Sequence, residues 1–229
     1  MRALVTGAEG GIGRATVAEL ERDGWQVAGC DIGDFDVRDR EAVDAGVAKV
    51  IEQLGGCDAV VANAGVVDTI HRAERFPVDE WQKDIETNLT GPFNVIRAAF
   101  EALAQSGDAR IVVISSASAE TGLPGQVAYT AAKAGLVGMA KTLAAEWGAH
   151  GIRVNVVMPG VIATPKVKAL PDPVKEGIAR ALPLGRIGEP AEVAGTVAFL
   201  LSPAGAYITG NVIRVDGGYG LNTLSLARS

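Results

Sequence analysis

The chain has 229 residues, of which 48% are hydrophobic and 21% charged, a balance typical of a folded globular domain and not of a disordered chain. The 27 acidic side chains outnumber the 21 basic ones and give a net charge of −6, which argues against a nucleic-acid or anionic-membrane surface. No apolar run approaches the ~20 residues of a membrane-spanning helix, and the opening residues lack the apolar core of a signal peptide.

Short, β-branched apolar runs alternate with longer stretches of helical periodicity along the chain. The runs lack strict alternation, as is typical of strands covered on both faces. They predict strands at Ala3–Thr6, Gln26–Cys30, Ala59–Ala62, Arg110–Ser115, Arg153–Val157 and Asn211–Val215. Helices are predicted near residues 12–23, 39–54, 78–105, 126–149 and 189–201. This alternation predicts one doubly wound, Rossmann-like α/β domain over residues 1–229, with a parallel sheet of six or seven strands and helices on both faces.

The connection after the second predicted strand is too short for a helix. Asp36-Val37 follows Asp31 after only four residues, whereas a helical crossover needs about 10–12 residues. A third strand at this point is therefore either vestigial or reached by a tight loop.

A glycine-rich turn joins the first strand to the first helix, in the sequence Thr6-Gly7-Ala8-Glu9-Gly10-Gly11-Ile12-Gly13. Glycine permits positive φ and lets backbone N–H groups approach a pyrophosphate at a helix N-terminus. A plain tight turn is the alternative, but the strand–turn–helix context favours a dinucleotide site.

Asp31 lies 18 residues after Gly13, at the end of the second strand, where an acid bonds the adenine ribose hydroxyls. The alternative is an acid that only caps or solvates a loop. Residues 31–44 hold six carboxylates against Arg38 and Arg40, so a 2′-phosphate would meet net negative charge. The sequence therefore predicts NAD as the cofactor in preference to NADP.

Tyr129 and Lys133 are four residues apart in a helical stretch and share one face of it. A Lys ammonium beside a phenol favours the phenolate, which helps a group of pKa about 10 to act as an acid and base near neutral pH. A surface pair is the alternative. Ser116 lies 13 residues upstream at the end of an apolar strand, where it can face the same pocket as Tyr129.

Cys30 and Cys57 are the only cysteines, and their spacing indicates neither a disulfide framework nor a zinc site. Two free structural thiols fit a reducing compartment. We therefore expect a cytoplasmic protein without a metal site.

These motifs resemble the short-chain dehydrogenase/reductase family in its compact, single-domain form, and within it the 3-oxoacyl-thioester reductases. The resemblance covers essentially the whole chain. It rests on features in the family's order: Thr6-Gly7-x3-Gly11-Ile12-Gly13, Asp36-Val37, Asn63-Ala64-Gly65, Asn88, Ser116, Tyr129-x3-Lys133, and Pro159-Gly160 followed by Thr164.

The resemblance implies a catalytic set of Asn88, Ser116, Tyr129 and Lys133. Tyr129 would donate a proton to the carbonyl oxygen during reduction, or remove it during oxidation, while Ser116 bonds the same oxygen. Lys133 would lower the Tyr129 pKa and bond the nicotinamide ribose. Asn88 would hold a water that links Lys133 to solvent, and a purely structural hydrogen bond is the alternative.

The resemblance also implies the residues along the cofactor. Asp31 would meet the adenine ribose, and Tyr129 and Lys133 would lie beside the nicotinamide ribose. The others are Gly7, Gly11, Ile12 and Gly13 in the first turn, Asp36 and Val37 at the adenine, Asn63, Ala64 and Gly65 along the cofactor, and Pro159, Gly160, Ile162 and Thr164 around the nicotinamide. A Pro-Gly turn can also be merely structural.

Three features depart from the family pattern. Ala62 stands where the family has a first Asn, and the shortened second crossover would expose the adenine side of the cofactor. Ser115, Ser116 and Ser118 cluster together, so Ser116 is chosen by its spacing from Tyr129.

Substrate specificity is expected from Thr164–Arg186, whose four prolines and mixed charge indicate a mobile lid, together with Ala117–Gln126. The helix Val127–Trp147 is apolar nearly all round and needs cover on more than one side. In the family this helix and the region Ile208–Gly218 pack against neighbouring subunits, which implies a homodimer or, preferably, a homotetramer.

The sequence thus predicts an NAD(H)-dependent oxidoreductase for a secondary alcohol or its ketone, preferably a 3-oxoacyl-thioester reductase or 3-hydroxyacyl dehydrogenase. A steroid, cyclic alcohol or polyol substrate stays open, as does a catalytically silent dinucleotide-binding regulator. Extended sugar-nucleotide epimerases are set aside because they need a larger C-terminal domain. Enoyl reductases are set aside because they space their Tyr and Lys further apart.

Overall fold

Six parallel strands form one sheet in the computed structural model, which describes residues 1–221. The last eight residues of the predicted 1–229 domain lie outside the described range. The strands are β1 (Arg2–Thr6), β2 (Gln26–Cys30), β3 (Ala59–Ala62), β4 (Ala109–Ile114), β5 (Ile152–Pro159) and β6 (Val212–Val215). Their order is β2-β1-β3-β4-β5-β6, which confirms the predicted α/β fold with six strands.

Helices cover both faces of this sheet. They are α1 (Gly11–Arg22), α2 (Arg40–Leu54), α3 (Val78–Ile85), α4 (Gly91–Ala98), α5 (Phe100–Ser106), α6 (Ser118–Thr121), α7 (Val127–Trp147), α8 (Pro165–Lys168), α9 (Asp172–Ala181) and α10 (Pro190–Leu201). Within residues 1–221 none of them combines the length and the apolar composition that a bilayer-spanning helix needs.

The central strands are buried on both faces, because every residue of β3 and β4 lies under a helix layer. One core cluster joins the sheet to α2, α4 and α7 through Val43, Val95 and Leu136. The other joins it to α1 and α10 through Leu20 and Val193. Burial on both faces explains why the apolar runs of these strands do not alternate with polar residues.

The short connection from β2 to Asp36-Val37 contains no helix, as predicted, and no strand forms at that point. The chain leaves β2 at Cys30, passes through a loop of residues 31–39 and enters α2, which leads directly to β3. Phe35 holds this loop because its ring is buried against Gly46 of α2. Asn94 adds a hydrogen bond from its Nδ2 to the Val37 carbonyl (3.0 Å). Asp36-Val37 therefore lies in an anchored loop, and β2 is an edge strand of the described sheet.

The stretch 78–105, predicted as one helix, is interrupted in the structure. A π-helical turn, Glu86–Thr90, separates α3 from α4, and α5 follows after Ala99. This turn buries Asn88 completely. The predicted lid Thr164–Arg186 contains two helices, α8 and α9, which the sequence analysis did not predict.

Candidate active site

A cavity of about 920 Å³ opens at the carboxyl ends of the strands, where ligands bind in parallel sheets. Its lining includes most of the residues proposed from the sequence: Gly7, Gly11, Ile12, Asp31, Asp36, Val37, Asn63, Ala64, Gly65, Ser116, Tyr129, Lys133, Pro159, Gly160, Ile162 and Thr164. Gly13 and Asn88 lie behind this lining. Among residues 1–221 no group of three or more His, Cys, Asp or Glu side chains is arranged to hold a metal ion.

The glycine-rich turn forms a cradle beside the N-terminus of α1. Gly7 has a positive φ of 66°, and a Cβ at Gly13 would lie 2.0 Å from the Gly7 carbonyl oxygen. Only glycine at position 13 lets the turn pack this closely. Within the described chain no side chain caps α1, so its first N–H groups remain beside the cavity. This cradle fits the pyrophosphate of a dinucleotide.

Asp31 lies between this cradle and the loop that follows β2. Its Oδ2 accepts a hydrogen bond from the Glu9 N–H (2.9 Å), and its Oδ1 accepts one from the Ile32 N–H (2.9 Å). The carboxylate therefore has a fixed position at the cavity wall. Further along the loop, both carboxylate oxygens of Asp36 accept hydrogen bonds from Arg38, and this pairing lowers the Asp36 pKa. Arg38 lines the cavity with its charge already compensated.

Asn63, Ala64 and Gly65 follow β3 and connect the cradle to the catalytic end of the cavity. The Asn63 Nδ2 donates to the carbonyl oxygens of Thr6 (3.0 Å) and Gly7 (3.1 Å). The Thr6 hydroxyl oxygen accepts from the Asn63 and Ala64 N–H groups. These bonds fix the glycine-rich turn on β3, so Asn63 shapes the cradle as well as lining it.

The three clustered serines have different surroundings. Ser115 is buried and donates its hydroxyl to the Lys133 carbonyl (2.7 Å), which ties β4 to α7. Ser118 donates its hydroxyl to the Ser116 Oγ (3.0 Å). Ser116 is also the side chain whose nearby hydroxyl lowers the pKa of the Tyr129 phenol. Ser116, the serine chosen by spacing, therefore lines the same cavity as Tyr129 and acts on its pKa.

Tyr129 and Lys133 share one face of α7, as the spacing predicts. Lys133 is 4% exposed, and its Nζ donates to the Ile114 carbonyl (3.0 Å) and lies 5.7 Å from the centre of the Tyr129 ring. Burial lowers the pKa of the Lys133 ammonium to about 8.

The pKa of Tyr129 differs from the expectation that Lys133 lowers it. Burial raises the pKa of the phenol, and the nearby Ser116 hydroxyl offsets only part of that rise. The physical reason is that the phenolate loses its hydration, while the Lys133 ammonium faces the ring and bonds the Ile114 carbonyl. Tyr129 is therefore protonated at neutral pH in this structure.

Asn88 makes hydrogen bonds of a structural kind. Its Oδ1 accepts from the Val66 N–H (3.0 Å), and its Nδ2 donates to the carbonyls of Val66 and Asp84 (both 3.0 Å). The Asn88 side chain also lies next to Lys133, and both border the space beside Gly65. A Cβ added at Gly65 would be 2.7 Å from Asn88 Oδ1 and 3.2 Å from Lys133 Nζ. Only glycine at position 65 leaves this space open.

The segment after β5 forms the far wall of the cavity. Gly160 packs against Asp216 so closely that a Cβ would lie 2.7 Å from the Asp216 Cα. Thr164 and Pro165 contact Gly11 of the cradle. Lys166 then donates to the Val67 carbonyl (3.0 Å) and pairs with Asp68. We call residues Thr164–Lys168 the strap, because they cross from the cradle to the loop after β3.

Several cavity residues were not proposed from the sequence. Arg38, Gln126 and Tyr219 line the cavity, and Gln126 is 94% buried there. Gln126 falls in a predicted specificity segment, and its position three residues before Tyr129 could have singled it out. Tyr219 carries no sequence signal beyond its place after Asp216-Gly217-Gly218.

The parallel sheet, the cradle and the Ser116–Tyr129–Lys133 group fit a dinucleotide-binding oxidoreductase, the class that comparisons with known proteins show. A family model described as enoyl-(acyl carrier protein) reductase matches residues 29–220. The chain is 40% identical over 234 residues to an acetoacetyl-CoA reductase of Shinella zoogloeoides, covering 94% of this chain and 97% of the relative. The chain therefore belongs to the short-chain dehydrogenase/reductase family.

Two further relatives are similar over nearly their full length. A 3-oxoacyl-(acyl-carrier-protein) reductase of Thermotoga maritima is 37% identical, with 94% of this chain and 96% of the relative covered. A (3R)-3-hydroxyacyl-CoA dehydrogenase of Rattus norvegicus is 39% identical, with 94% and 95% covered. The protein is thus an oxidoreductase that acts on CH–OH groups or ketones with a nicotinamide cofactor.

Proposed function

We propose that this protein is an NAD(H)-dependent reductase of 3-oxoacyl thioesters, or a dehydrogenase of the corresponding 3-hydroxyacyl thioesters. The observation that carries the proposal is the Ser116–Tyr129–Lys133 group at one end of a cavity whose other end holds the pyrophosphate cradle. The names of the relatives, which refer to acetoacetyl, 3-oxoacyl and 3-hydroxyacyl substrates, support the thioester.

The bound nicotinamide would supply or accept the hydride at the carbonyl carbon. Tyr129 would donate its phenolic proton to the carbonyl oxygen, and its raised pKa keeps that proton in place at neutral pH. The Ser116 hydroxyl would hold the same oxygen beside Tyr129 and stabilise the charge that develops on it.

Lys133 would hold the ribose next to the nicotinamide and place a positive charge close to the Tyr129 phenolate after proton transfer. Its pKa of about 8 leaves it mainly charged at neutral pH. Asn88 would position a water beside Lys133, through which the proton on Tyr129 is replaced. Its Oδ1 uses one lone pair for the Val66 N–H, which leaves one for a water.

Asp31 would accept hydrogen bonds from the hydroxyls of the adenine ribose. The protein would bind NAD in preference to NADP. The Asp31 carboxylate lines the cavity, and Asp36 already compensates the charge of Arg38, the basic side chain of that loop. A 2′-phosphate would therefore meet the Asp31 charge without a free cation opposite it.

A homotetramer or homodimer is proposed as the assembled form. Phe93 on α4, Phe199 on α10 and Tyr207 are exposed aromatic side chains. They lie on or beside the helix layer and the C-terminal region expected to meet neighbouring subunits. Buried Cys30 and Cys57, both free thiols with raised pKa values, are compatible with a reducing cytoplasm. Residues 1–229 would form one domain.

The test is the initial rate of NADH and NADPH oxidation with an acetoacetyl thioester, using Tyr129→Phe as the control. We expect turnover with NADH, and a loss of at least about 100-fold in Tyr129→Phe with NADH binding retained. A crotonyl thioester, which carries a carbon–carbon double bond, tests for the enoyl reductase activity named in the description of the matching family. Turnover of the crotonyl thioester alone would overturn the proposal. NADH binding without turnover of any ketone would support the silent regulator, and turnover of cyclic, steroidal or polyol substrates alone would support those alternatives.

A further inference from the structure

The segment that follows β6 runs across the catalytic end of the cavity. Asp216 packs on Gly160, which belongs to the turn expected beneath the nicotinamide. Four residues later, a Cβ at Gly220 would lie 3.3 Å from the Thr121 Cγ2 at the end of α6, the helix that follows Ser116. Tyr219 lies between these two contacts and lines the cavity. It is therefore close to the position at which a substrate would meet Ser116 and Tyr129.

Arg214 holds this segment through three hydrogen bonds. Its Nε donates to Asp216 Oδ2 (2.7 Å), its Nη1 to Glu120 Oε2 (3.1 Å), and its Nη2 to the Tyr219 carbonyl (2.5 Å). One guanidinium thus connects β6, α6 and the backbone of Tyr219. The planar fork of arginine can make these bonds together, whereas a lysine ammonium cannot reproduce their directions.

A second set of bonds fixes the turn that carries Tyr219. The Asp216 Oδ1 accepts from the Gly218 N–H (3.0 Å), and the Asp216 carbonyl accepts from the Tyr219 N–H (3.2 Å). Gly217 and Gly218 have φ values of 64° and 85°, which side chains rarely adopt. The segment therefore has one defined path, and Arg214 connects that path to α6.

Apolar side chains also contribute to the cavity wall. Ile70, Leu123, Val167 and Leu170 belong to this lining and come from the loop after β3, the segment after α6 and the segment around α8. An apolar wall suits the hydrocarbon part of an acyl group, and the Tyr219 ring takes up part of the space that such a group would fill.

We propose that Tyr219 limits the length of the acyl chain that the enzyme accepts, and that Arg214 is the residue that positions it. The inference rests on the proposed function, because it assigns the chain-length limit of the same site. Tyr219 acts through the volume of its ring. Arg214 acts only through the placement of Tyr219.

The test compares kcat/KM for acetoacetyl and 3-oxodecanoyl thioesters, with NADH, in wild type, Tyr219→Ala, Tyr219→Phe, Arg214→Gln and the double variant Arg214→Gln/Tyr219→Ala. We expect Tyr219→Ala to raise the ratio of long to short substrate by about tenfold, since a few methylenes in an apolar pocket are discriminated by that order. Tyr219→Phe keeps the ring and should keep the wild-type ratio. Arg214→Gln should raise the ratio, mainly through KM.

The double variant separates positioning from a general structural role. If Arg214 acts through Tyr219, Arg214→Gln changes the ratio no further once the ring is absent. An additional change in that background would overturn the role of Arg214, and an unchanged ratio in Tyr219→Ala would overturn the role of Tyr219. NADH affinity, measured by fluorescence titration, should stay within about twofold in all variants, since the cradle is untouched.

Failure of the proposed function gives a different result. If wild type reduces neither thioester, the proposed substrate is wrong, and the same variants are compared with a short and a long alkyl methyl ketone. A Tyr219→Ala ratio that still rises would uphold the length limit for ketones. A ratio that does not change would overturn it.

Discussion

Two residues on one face of α7 set the protonation state of the catalytic site. Burial raises the pKa of Tyr129 and lowers that of Lys133 to about 8. Both shifts have the same cause, since loss of hydration disfavours the phenolate and the ammonium alike. In ketone reduction Tyr129 must begin protonated, and its raised pKa satisfies this condition throughout the neutral range. Lys133 is then the first of the two groups to change charge as the pH rises.

We therefore expect kcat/KM for ketone reduction to be constant near neutral pH and to fall above about pH 8, as Lys133 loses its proton. The measurement is a pH profile from 6 to 10 with NADH and an acetoacetyl thioester. Lys133→Arg stays charged over this range and should move the fall to higher pH. If kcat/KM falls at the same pH in Lys133→Arg as in wild type, the titrating group is not Lys133.

Asp31 is a second residue whose charge has a measurable consequence. Asp31→Ala removes the carboxylate that faces the cavity, and the preference for NADH over NADPH should narrow by roughly tenfold. Dissociation constants for both cofactors, obtained by fluorescence titration, measure this directly. Glu41→Gln is the matched control, because it removes one negative charge from the exposed start of α2. A wild type that already prefers NADPH would contradict the charge argument.

At the scale of elements, the strap Thr164–Lys168 crosses the cavity between two walls. At one end Thr164 and Pro165 contact the cradle, and at the other Lys166 pairs with Asp68 and the Val67 carbonyl. A dinucleotide in the cradle would lie under this crossing. The pair is more than half exposed, so its contribution is small and sensitive to salt.

We expect Asp68→Asn to raise the dissociation rate of NADH by about two- to fivefold, which is the range that one exposed ion pair can supply. Stopped-flow fluorescence measures that rate. Asp172→Asn is the control variant. It breaks an ion pair with Lys175 within α9, and that pair does not reach the opposite wall of the cavity. Equal rates in wild type and Asp68→Asn would show that the strap opens without breaking the pair.

At the scale of the whole molecule, Asp58 joins three separate parts of the fold. Asp58 immediately precedes β3. Its carboxylate accepts hydrogen bonds from the Arg2 N–H and guanidinium in β1 and from the Ser106 hydroxyl in α5 (2.8 Å). These bonds lower the Asp58 pKa to about 2. A depressed carboxyl pKa contributes stability above the unfolded value of about 4, and that contribution is lost as the pH falls from 4 to 2.

Asp58→Asn should therefore lower the free energy of unfolding at pH 7 by about 2 kcal/mol and should weaken the loss of stability between pH 4 and 2. Urea unfolding at several pH values measures both effects. Glu19→Gln, which breaks an exposed pair with Arg22 on α1, should change the free energy by less than about 0.5 kcal/mol. If the free energy of unfolding of Asp58→Asn falls as steeply between pH 4 and 2 as that of wild type, the loss of stability is due to other carboxyls.

The amino-acid sequence alone determined the alternation of strands and helices and the residues around the cavity. All six strands lie within two residues of their predicted bounds, because apolar runs and glycine punctuation are local signals. The glycine-rich turn, Ser116 and the Tyr129–Lys133 pair could be found for the same reason. Their spacing along the chain is fixed by the strand–turn–helix units that carry them.

The tertiary structure decided the features that depend on distant residues. The direct connection from β2 to α2 depends on Phe35 packing against Gly46 and on Asn94. The raised Tyr129 pKa depends on burial, and the approach of Tyr219 to the cavity depends on the bond between Arg214 and Glu120. Arg214 and Glu120 are 94 positions apart in the sequence, and their side chains meet only in the folded protein. No local pattern encodes such a contact, because the packing of the whole sheet brings the two ends together.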